Sequence, residues 1–122
     1  MLLPVVLPDL DLDWAVHDGV LVPAGRGLME PTAPPLGVDA VATADVVLVP
    51  GLAVSDDGVR MGRGGGCYDR ALARVPPGTF TCVLLHEGEV GVDVPVEAHD
   101  RSVLAAVTAR GVIRFPGPPA RG

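Results

Sequence analysis

The chain has 122 residues, a formal net charge of −6 and 48% hydrophobic residues, which is enough apolar material for the core of one domain. All nine basic residues are arginine, so the acidic balance disfavours nucleic-acid binding, and any anion held by side chains must be held by arginine. The two cysteines have neither metal-ligand spacing nor a disulfide framework, and no apolar run reaches membrane-spanning length. We therefore expect a cytoplasmic protein that binds neither nucleic acid nor membrane.

The first half of the chain predicts strands separated by a loop. Residues 2–7 (LLPVVL) are typical of a buried strand, and residues 11–19 alternate polar and apolar side chains as a second strand or hairpin arm does. Residues 23–38 are rich in proline and glycine and are predicted to form a loop. The nearly continuous apolar run over residues 44–54 predicts a central strand covered on both faces.

The second half predicts a turn, a helix and further strands. Residues 55–58 (SDDG) favour a turn, and a helix with Ala71 and Leu72 on one face is expected to stop before residues 76–78 (PPG). Residues 79–87 predict a buried strand containing Cys82, and residues 94–113 predict a loop followed by a strand or short helix.

These elements predict an α/β fold with a single domain over residues 1–115 and a flexible tail over 116–122. The sheet is expected to be mostly parallel or mixed, with flanking helices and at least one crossover connection.

Residues 60–72 (RMGRGGGCYDRAL) place three consecutive glycines, Gly64, Gly65 and Gly66, between a strand and a helix. Glycine lets backbone N–H groups face an anion without interference from a Cβ atom, and the start of the helix adds a partial positive charge. Arg63 lies inside this loop and adds a full charge. The sequence has no lysine for a Walker A loop and does not match the dinucleotide fingerprint. A phosphate-binding loop and a flexible surface turn therefore both remain open.

Acidic residues near this loop raise the question of a metal ion. Asp69 lies in the first turn of the predicted helix, where a carboxylate favours the helix dipole. Beside a bound polyphosphate, however, it would need a bridging cation such as Mg²⁺. Residues 94–100 (VPVEAHD) offer Glu97 and Asp100 as a second acid, although on spacing alone a capping role is the simpler interpretation of Asp100.

Two segments resemble the 5-formyltetrahydrofolate cyclo-ligase family, also called methenyltetrahydrofolate synthetases. They are residues 45–72 (DVVLVPGLAVSDDGVRMGRGGGCYDRAL) and residues 94–108 (VPVEAHDRSVLAAVT), and residues 27–31 (GLMEP) add a weaker similarity. The family carries a strand ending in Pro-Gly, then Arg-x-Gly-x-Gly-x-Gly-Tyr-Tyr-Asp, and later Pro-x-Glu-x-His-Asp. The similarity extends from about Leu3 to Val112.

The resemblance implies ATP-dependent conversion of 5-formyltetrahydrofolate to 5,10-methenyltetrahydrofolate with Mg²⁺. It implies a catalytic role for Arg63 and Tyr68, and it implies Asp69 and Asp100 as ligands of the metal. The implied nucleotide site consists of Arg60, Gly62, Arg63, Gly64, Gly65, Gly66, Cys67 and Tyr68. Trp14 and Met29 lie in regions that the resemblance associates with the folate, although core packing is the simpler interpretation of Trp14.

The sequence departs from the family pattern in two ways. Cys67 replaces the first tyrosine of the family's Tyr-Tyr pair, which puts a stacking contact in doubt. The family begins with a basic helix, a strand and a second helix, so we expect a domain truncated at its N-terminus. Self-association through the uncovered sheet face would then bury the apolar residues of the strands. A non-catalytic remnant or a regulatory module that binds a nucleotide or anion is the alternative function.

Overall fold

The computed structural model of the chain describes residues 1–62, 66–92 and 101–115. These residues form one α-helix, one 3-10 helix and ten short strands. In chain order the elements are β1 (Leu2–Val6), β2 (Leu12–Val16), β3 (Leu21–Pro23), β4 (Met29–Pro31), the 3-10 helix (Val38–Thr43), β5 (Val46–Pro50), β6 (Ala53–Val54), β7 (Arg60–Met61), α1 (Cys67–Ala73), β8 (Phe80–Leu84), β9 (Ala105–Thr108) and β10 (Gly111–Arg114).

A mixed four-stranded sheet forms the centre of the fold, in the order β10-β9-β8-β5. Strands β5, β8 and β9 are parallel, and β10 returns antiparallel to β9. The chain passes through α1 between the parallel strands β5 and β8, which confirms the predicted crossover. The mixed sheet of an α/β domain is thereby confirmed, with fewer helices than the sequence suggested. The segment after residue 100 forms strands rather than a helix.

The position of β5 corrects one prediction. The apolar run predicted a central strand covered on both faces, but β5 lies at the edge of the sheet. Its residues alternate between exposed and buried, and Val46 and Leu48 are each 55% exposed whereas Val49 is buried. An apolar run shows that a strand can be buried on both faces, but the rest of the fold decides whether both faces are covered.

Two antiparallel ribbons precede this sheet. Strands β1 and β2 pair as a hairpin, as predicted, and β2 contributes Leu12 and Trp14 to the core. Strands β3 and β4 pair over residues 21–31, so the prediction of a loop across residues 23–38 was wrong in this part. The turn residues Gly25, Arg26 and Gly27 all have positive φ and reverse the chain, and the three-residue strands are too short to show an alternating pattern.

The core lies between the sheet, the β1–β2 hairpin and α1. It includes Val49, Val83 and Ala106 from the sheet and Ala71 and Leu72 from the helix. Helix α1 begins at Cys67 and ends at Ala73, in agreement with the predicted start and the stop before Pro76. Cys82 is completely buried, as expected of a small apolar residue. No helix within the described part of the chain is long and apolar enough to cross a membrane.

Candidate functional site

Three segments meet at the predicted site: the β6–β7 hairpin, the start of α1 and residues 101–103. Gly58, in the turn of the hairpin, has a φ of +84° and accepts a hydrogen bond from the N–H of Val103 at 2.9 Å. A Cβ atom on Gly58 would lie 2.4 Å from the carbonyl oxygen of Val103, so only glycine allows this approach. The hairpin therefore holds the segment that follows residue 100 close to the site.

Arg60 is a buried arginine that links two of the elements around the site. The residue is 5% exposed, and its Nη1 donates a hydrogen bond to the carbonyl oxygen of Pro50 at 3.0 Å. Its Nη2 lies 3.6 Å from Oδ1 of Asp69 in the first turn of α1. The guanidinium thus connects the end of β5 with the start of the helix.

Two glycines make room for this guanidinium. A Cβ atom on Gly62 would lie 2.7 Å from Nη1 of Arg60. A Cβ atom on Gly51 would lie 3.2 Å from Cγ of Arg60 and 2.7 Å from Cγ2 of Val83. Both distances to Arg60 are shorter than ordinary carbon contacts, so side chains at these positions would displace the arginine.

Asp69 is a carboxylate that is 8% exposed at the point where α1 meets residue 101. Its Oδ1 accepts a hydrogen bond from the backbone N–H of Arg101 at 3.3 Å, in addition to the Arg60 contact. Within the described ranges, no three His, Cys, Asp or Glu side chains group as a metal site. A single carboxylate nevertheless fits Mg²⁺ that is carried by a nucleotide, because such an ion takes one or two protein carboxylates and completes its shell with phosphate and water.

Tyr68 lies beside Arg60, with Cζ of the arginine 5.6 Å from the centre of the ring. Burial raises the pKa of Tyr68 above its usual value of 10.0, so its hydroxyl stays protonated at neutral pH and can donate a hydrogen bond. The neighbouring Cys67 is a free, partly buried thiol.

Comparison with known proteins assigns the chain to a family. A sequence model of the 5-formyltetrahydrofolate cyclo-ligase family matches residues 1–109. The chain belongs to this family. The 5-formyltetrahydrofolate cyclo-ligase of Mycolicibacterium smegmatis is 38% identical over 120 residues, covering 93% of this chain and 62% of that protein.

Solved structures of the cyclo-ligase family agree with this assignment. The 5,10-methenyltetrahydrofolate synthetase of Aquifex aeolicus matches with a TM-score of 0.74 and 27% identity, covering 99% of this chain and 61% of that one. The corresponding protein of Mycoplasma pneumoniae matches in fold, with a TM-score of 0.61 and 17% identity over 84% of this chain and 51% of that one. The chain thus spans about three fifths of the length of the Mycolicibacterium and Aquifex proteins.

The structure brings together the predicted cyclo-ligase site residues that it describes. These are Arg60, Gly62, Gly66, Cys67, Tyr68 and Asp69, which lie on β7, at the start of α1 and between them. The other predicted site residues, Arg63, Gly64, Gly65 and Asp100, lie outside the described residues, as do Glu97 and His99. Their predicted roles therefore stay predictions.

Trp14 and Met29 differ in their surroundings. Trp14 is 6% exposed and belongs to the core cluster, which favours the packing interpretation. Met29 is 55% exposed on β4.

Sequence reasoning missed three parts of the site: the carbonyl of Pro50, the glycine at Gly51 and the backbone N–H of Arg101. The Pro-Gly pair at the end of an apolar run was the available signal for the first two. Nothing in the sequence pattern points to the third, because it depends on how the hairpin turn at Gly58 approaches Val103.

Proposed function

We propose that this cyclo-ligase family chain binds ATP with Mg²⁺ beside α1 and uses it to convert 5-formyltetrahydrofolate to 5,10-methenyltetrahydrofolate. The observation that carries the proposal is the buried Asp69 carboxylate, held by Arg60 and by the N–H of Arg101. A carboxylate fixed in this way, next to the glycine-rich segment, is suited to a metal ion that accompanies a polyphosphate. The cytoplasmic location expected from the sequence belongs to the same proposal.

The phosphates of ATP are proposed to lie against residues 62–66. Gly62 and Gly66 flank this segment, and Gly66 adopts the left-handed conformation at the start of α1, with φ of +73°. Arg63 would supply a planar guanidinium for phosphate oxygens, and the backbone N–H groups of Gly64 and Gly65 would supply further donors. Helix α1 has only seven residues, so most of the positive charge must come from arginine rather than from the helix dipole.

Asp69 and Asp100 are proposed as the protein ligands of Mg²⁺. Asp100 directly precedes Arg101, whose N–H reaches Asp69, and this neighbourhood supports the pairing. When bound, Mg²⁺ would reduce the charge repulsion among the phosphates and between them and the carboxylates.

The proposed reaction needs positioning rather than a protein nucleophile. The formyl oxygen on N5 is a poor leaving group as hydroxide, so the γ-phosphoryl group of ATP is first transferred to it and ADP is released. N10 of the same substrate then attacks the formyl carbon, the carbon–oxygen bond breaks, and phosphate leaves and takes up the proton that N10 loses. Arg63 is proposed to stabilise the transferred charge, and Tyr68, protonated at neutral pH, is proposed to donate a hydrogen bond.

Isothermal titration with MgATP tests the proposed site. Arg63→Ala and Asp69→Ala are each expected to weaken binding about tenfold or more, since each removes a charged interaction worth about 1.5–3 kcal/mol. Arg110→Ala is the matched control, because Arg110 is exposed and pairs with Glu87 outside the site. Unchanged affinity in both site variants would contradict the proposal.

Turnover is tested separately by following the absorbance of methenyltetrahydrofolate after 5-formyltetrahydrofolate and ATP are added. Formation of this product would support the ligase activity. Binding of MgATP without product would instead favour a regulatory or remnant module of the same fold.

A further inference from the structure

We infer that Arg60 is a positioning residue that holds the carboxylate of Asp69 for the metal, instead of a phosphate ligand in its own right. The effect on the metal rests on the proposed function. The contact between Arg60 and Asp69 does not, because it joins two side chains of the chain itself.

The burial of Arg60 is the first argument. Its side chain is 4% exposed, and its two terminal nitrogens contact protein groups: Nη1 the carbonyl of Pro50 and Nη2 the carboxylate of Asp69. An arginine that binds a phosphate directly has to present its N–H groups to the ligand. Both terminal nitrogens of Arg60 face protein groups instead, and its Nε is buried with no hydrogen-bond partner among the described residues.

The glycines around Arg60 are the second argument. Gly62 leaves space for Nη1, and Gly51 leaves space for the aliphatic part of the side chain. Both glycines therefore have a structural use within the described residues, which is to admit a guanidinium between β5 and α1. The bidentate shape of that group suits a bridge between a carbonyl and a carboxylate, which the ammonium of lysine spans poorly.

The third argument is that two groups contact the same carboxylate oxygen, Oδ1 of Asp69. Arg60 contacts this oxygen at 3.6 Å, and the N–H of Arg101 donates to it at 3.3 Å. Two partners from different elements, β7 and the segment that precedes β9, restrict rotation of the carboxylate. If Arg60 is shortened, the carboxylate loses one of them, and the affinity that Mg²⁺ adds to ATP binding should fall.

The experiment compares the affinity of the full chain for ATP with Mg²⁺ and with EDTA in place of the metal. In Arg60→Lys, the enhancement by Mg²⁺ is expected to fall about tenfold, whereas binding of metal-free ATP changes less than about twofold. Arg74→Lys is the matched control: it alters another partly buried ion pair, with Asp11, and should keep the full enhancement. An equal loss of affinity with and without Mg²⁺ would mean direct phosphate contact, and unchanged affinity under both conditions would mean that Arg60 has no role. Either result overturns the inference.

A second variant covers the case in which Arg60→Lys does not fold. Gly51→Ala keeps the arginine and lies outside the segment proposed for the phosphates, but its Cβ atom would lie 3.2 Å from Cγ of Arg60, so the same selective loss of enhancement is expected. Gly78→Ala is its control, because a Cβ atom there meets nothing within 4 Å. Full enhancement in Gly51→Ala would count against the inference.

A double-mutant cycle separates failure of the inference from failure of the proposed function. The free energies of unfolding of Arg60→Lys, Asp69→Asn and the double variant measure the coupling of the pair without ligand. A coupling energy between Arg60 and Asp69 in a chain that does not bind ATP would contradict the proposed function but support the positioning contact. Absence of coupling would overturn the inference, whatever the chain binds.

Discussion

The guanidinium of Arg74 forms a two-pronged ion pair with Asp11: Nη1 and Nη2 each lie 2.7 Å from one carboxylate oxygen. Arg74 directly follows α1, and Asp11 precedes β2, so the pair attaches the end of the helix to the first hairpin. The hydrogen bonds from Arg74 are the main cause that lowers the pKa of Asp11 from 3.8 to about 2. Asp11 therefore prefers to be charged in the folded chain.

This pair predicts a loss of stability in acid. Because the pKa of Asp11 is lower in the folded than in the unfolded chain, its contribution is complete above pH 3.8 and is lost as the pH falls towards about 2. We expect the ion pair to contribute about 1 kcal/mol to the free energy of unfolding, since the Arg74 side chain is still 27% exposed. Urea unfolding at several pH values measures this free energy. The fluorescence of Trp14, the sole tryptophan, follows the transition.

Asp11→Asn should lower the free energy of unfolding near neutral pH and flatten its dependence on pH between 3.8 and about 2. Asp57→Asn, at an exposed position in the turn before Gly58, is the control and should keep the wild-type slope. A wild-type slope in Asp11→Asn would show that other carboxylates cause the acid sensitivity.

The closely packed turn at Gly58 predicts a second effect on stability. Gly58 and Gly88 both have a φ of +84°, so alanine at either position adopts a backbone conformation that costs about 1–2 kcal/mol. Only at Gly58 would the Cβ atom also meet a neighbour, the carbonyl oxygen of Val103 at 2.4 Å, whereas at Gly88 it meets nothing within 4 Å. The comparison therefore separates backbone strain from steric overlap.

Gly58→Ala is expected to destabilise the chain by about 3 kcal/mol or more, and Gly88→Ala by about 1 kcal/mol. If the segment after residue 100 serves the site as proposed, MgATP affinity should fall in Gly58→Ala even where the chain is still folded. Equal urea midpoints for the two variants would show that the hairpin can move away from Val103 at little cost.

Much of this architecture could be predicted from local patterns. Helix α1 begins and ends where the spacing of its apolar residues and Pro76 predict. Strands β1 and β8 follow from their apolar runs, and β2 follows from its alternating pattern. The edge position of β5 could not be predicted, because the same apolar run suits a central strand or an edge strand with one exposed face.

The residue types of the candidate site could be predicted from the sequence, but the contacts between them could not. The charge of Arg60 and the glycines around it suggested a phosphate group as the partner, yet the guanidinium contacts Pro50 and Asp69. The sequence shows which charged and glycine residues lie close together along the chain. It does not show which groups the side chain of Arg60 contacts, because those contacts depend on the space that Gly51 and Gly62 leave.

Tyr68 gives a third prediction, on ionisation at high pH. It is the sole tyrosine, so the ultraviolet absorbance of tyrosinate reports it alone. Burial raises its pKa above 10.0, so less than half of it should be ionised at pH 10 in the folded chain, and more after urea unfolding. Since the folded chain resists this ionisation, the free energy of unfolding should decrease as the pH rises above 10.0.

Tyr68→Phe is the matched variant: it keeps the ring beside Arg60 and should remove the decrease in stability above pH 10.0 that the hydroxyl causes. Its MgATP affinity should stay within about threefold of wild type if the ring rather than the hydroxyl lines the nucleotide site, while turnover should fall if the hydroxyl donates as proposed. Half-ionisation of Tyr68 well below pH 10.0 in the folded chain would contradict the assigned burial.

The exposed apolar side chains of β5 predict self-association. Val46 and Leu48 are each 55% exposed on a strand that ends the sheet, and an edge strand of this kind offers both apolar surface and backbone groups to a second chain. Sedimentation velocity over a range of concentrations should show wild-type chains associating. Leu48→Lys should shift the equilibrium towards monomers, because burying the ammonium against another chain is costly.

Leu36→Lys is the control for self-association, since Leu36 is similarly exposed at 57% but lies in the loop before the 3-10 helix, where its N–H bonds to Trp14 of β2. If β5 is the contact, only the substitution at Leu48 changes the sedimentation profile. An equal effect of both lysines would indicate that association follows general surface hydrophobicity. If the wild-type chain stays monomeric at every concentration, the exposed apolar side chains of β5 do not drive association, and the prediction would be wrong.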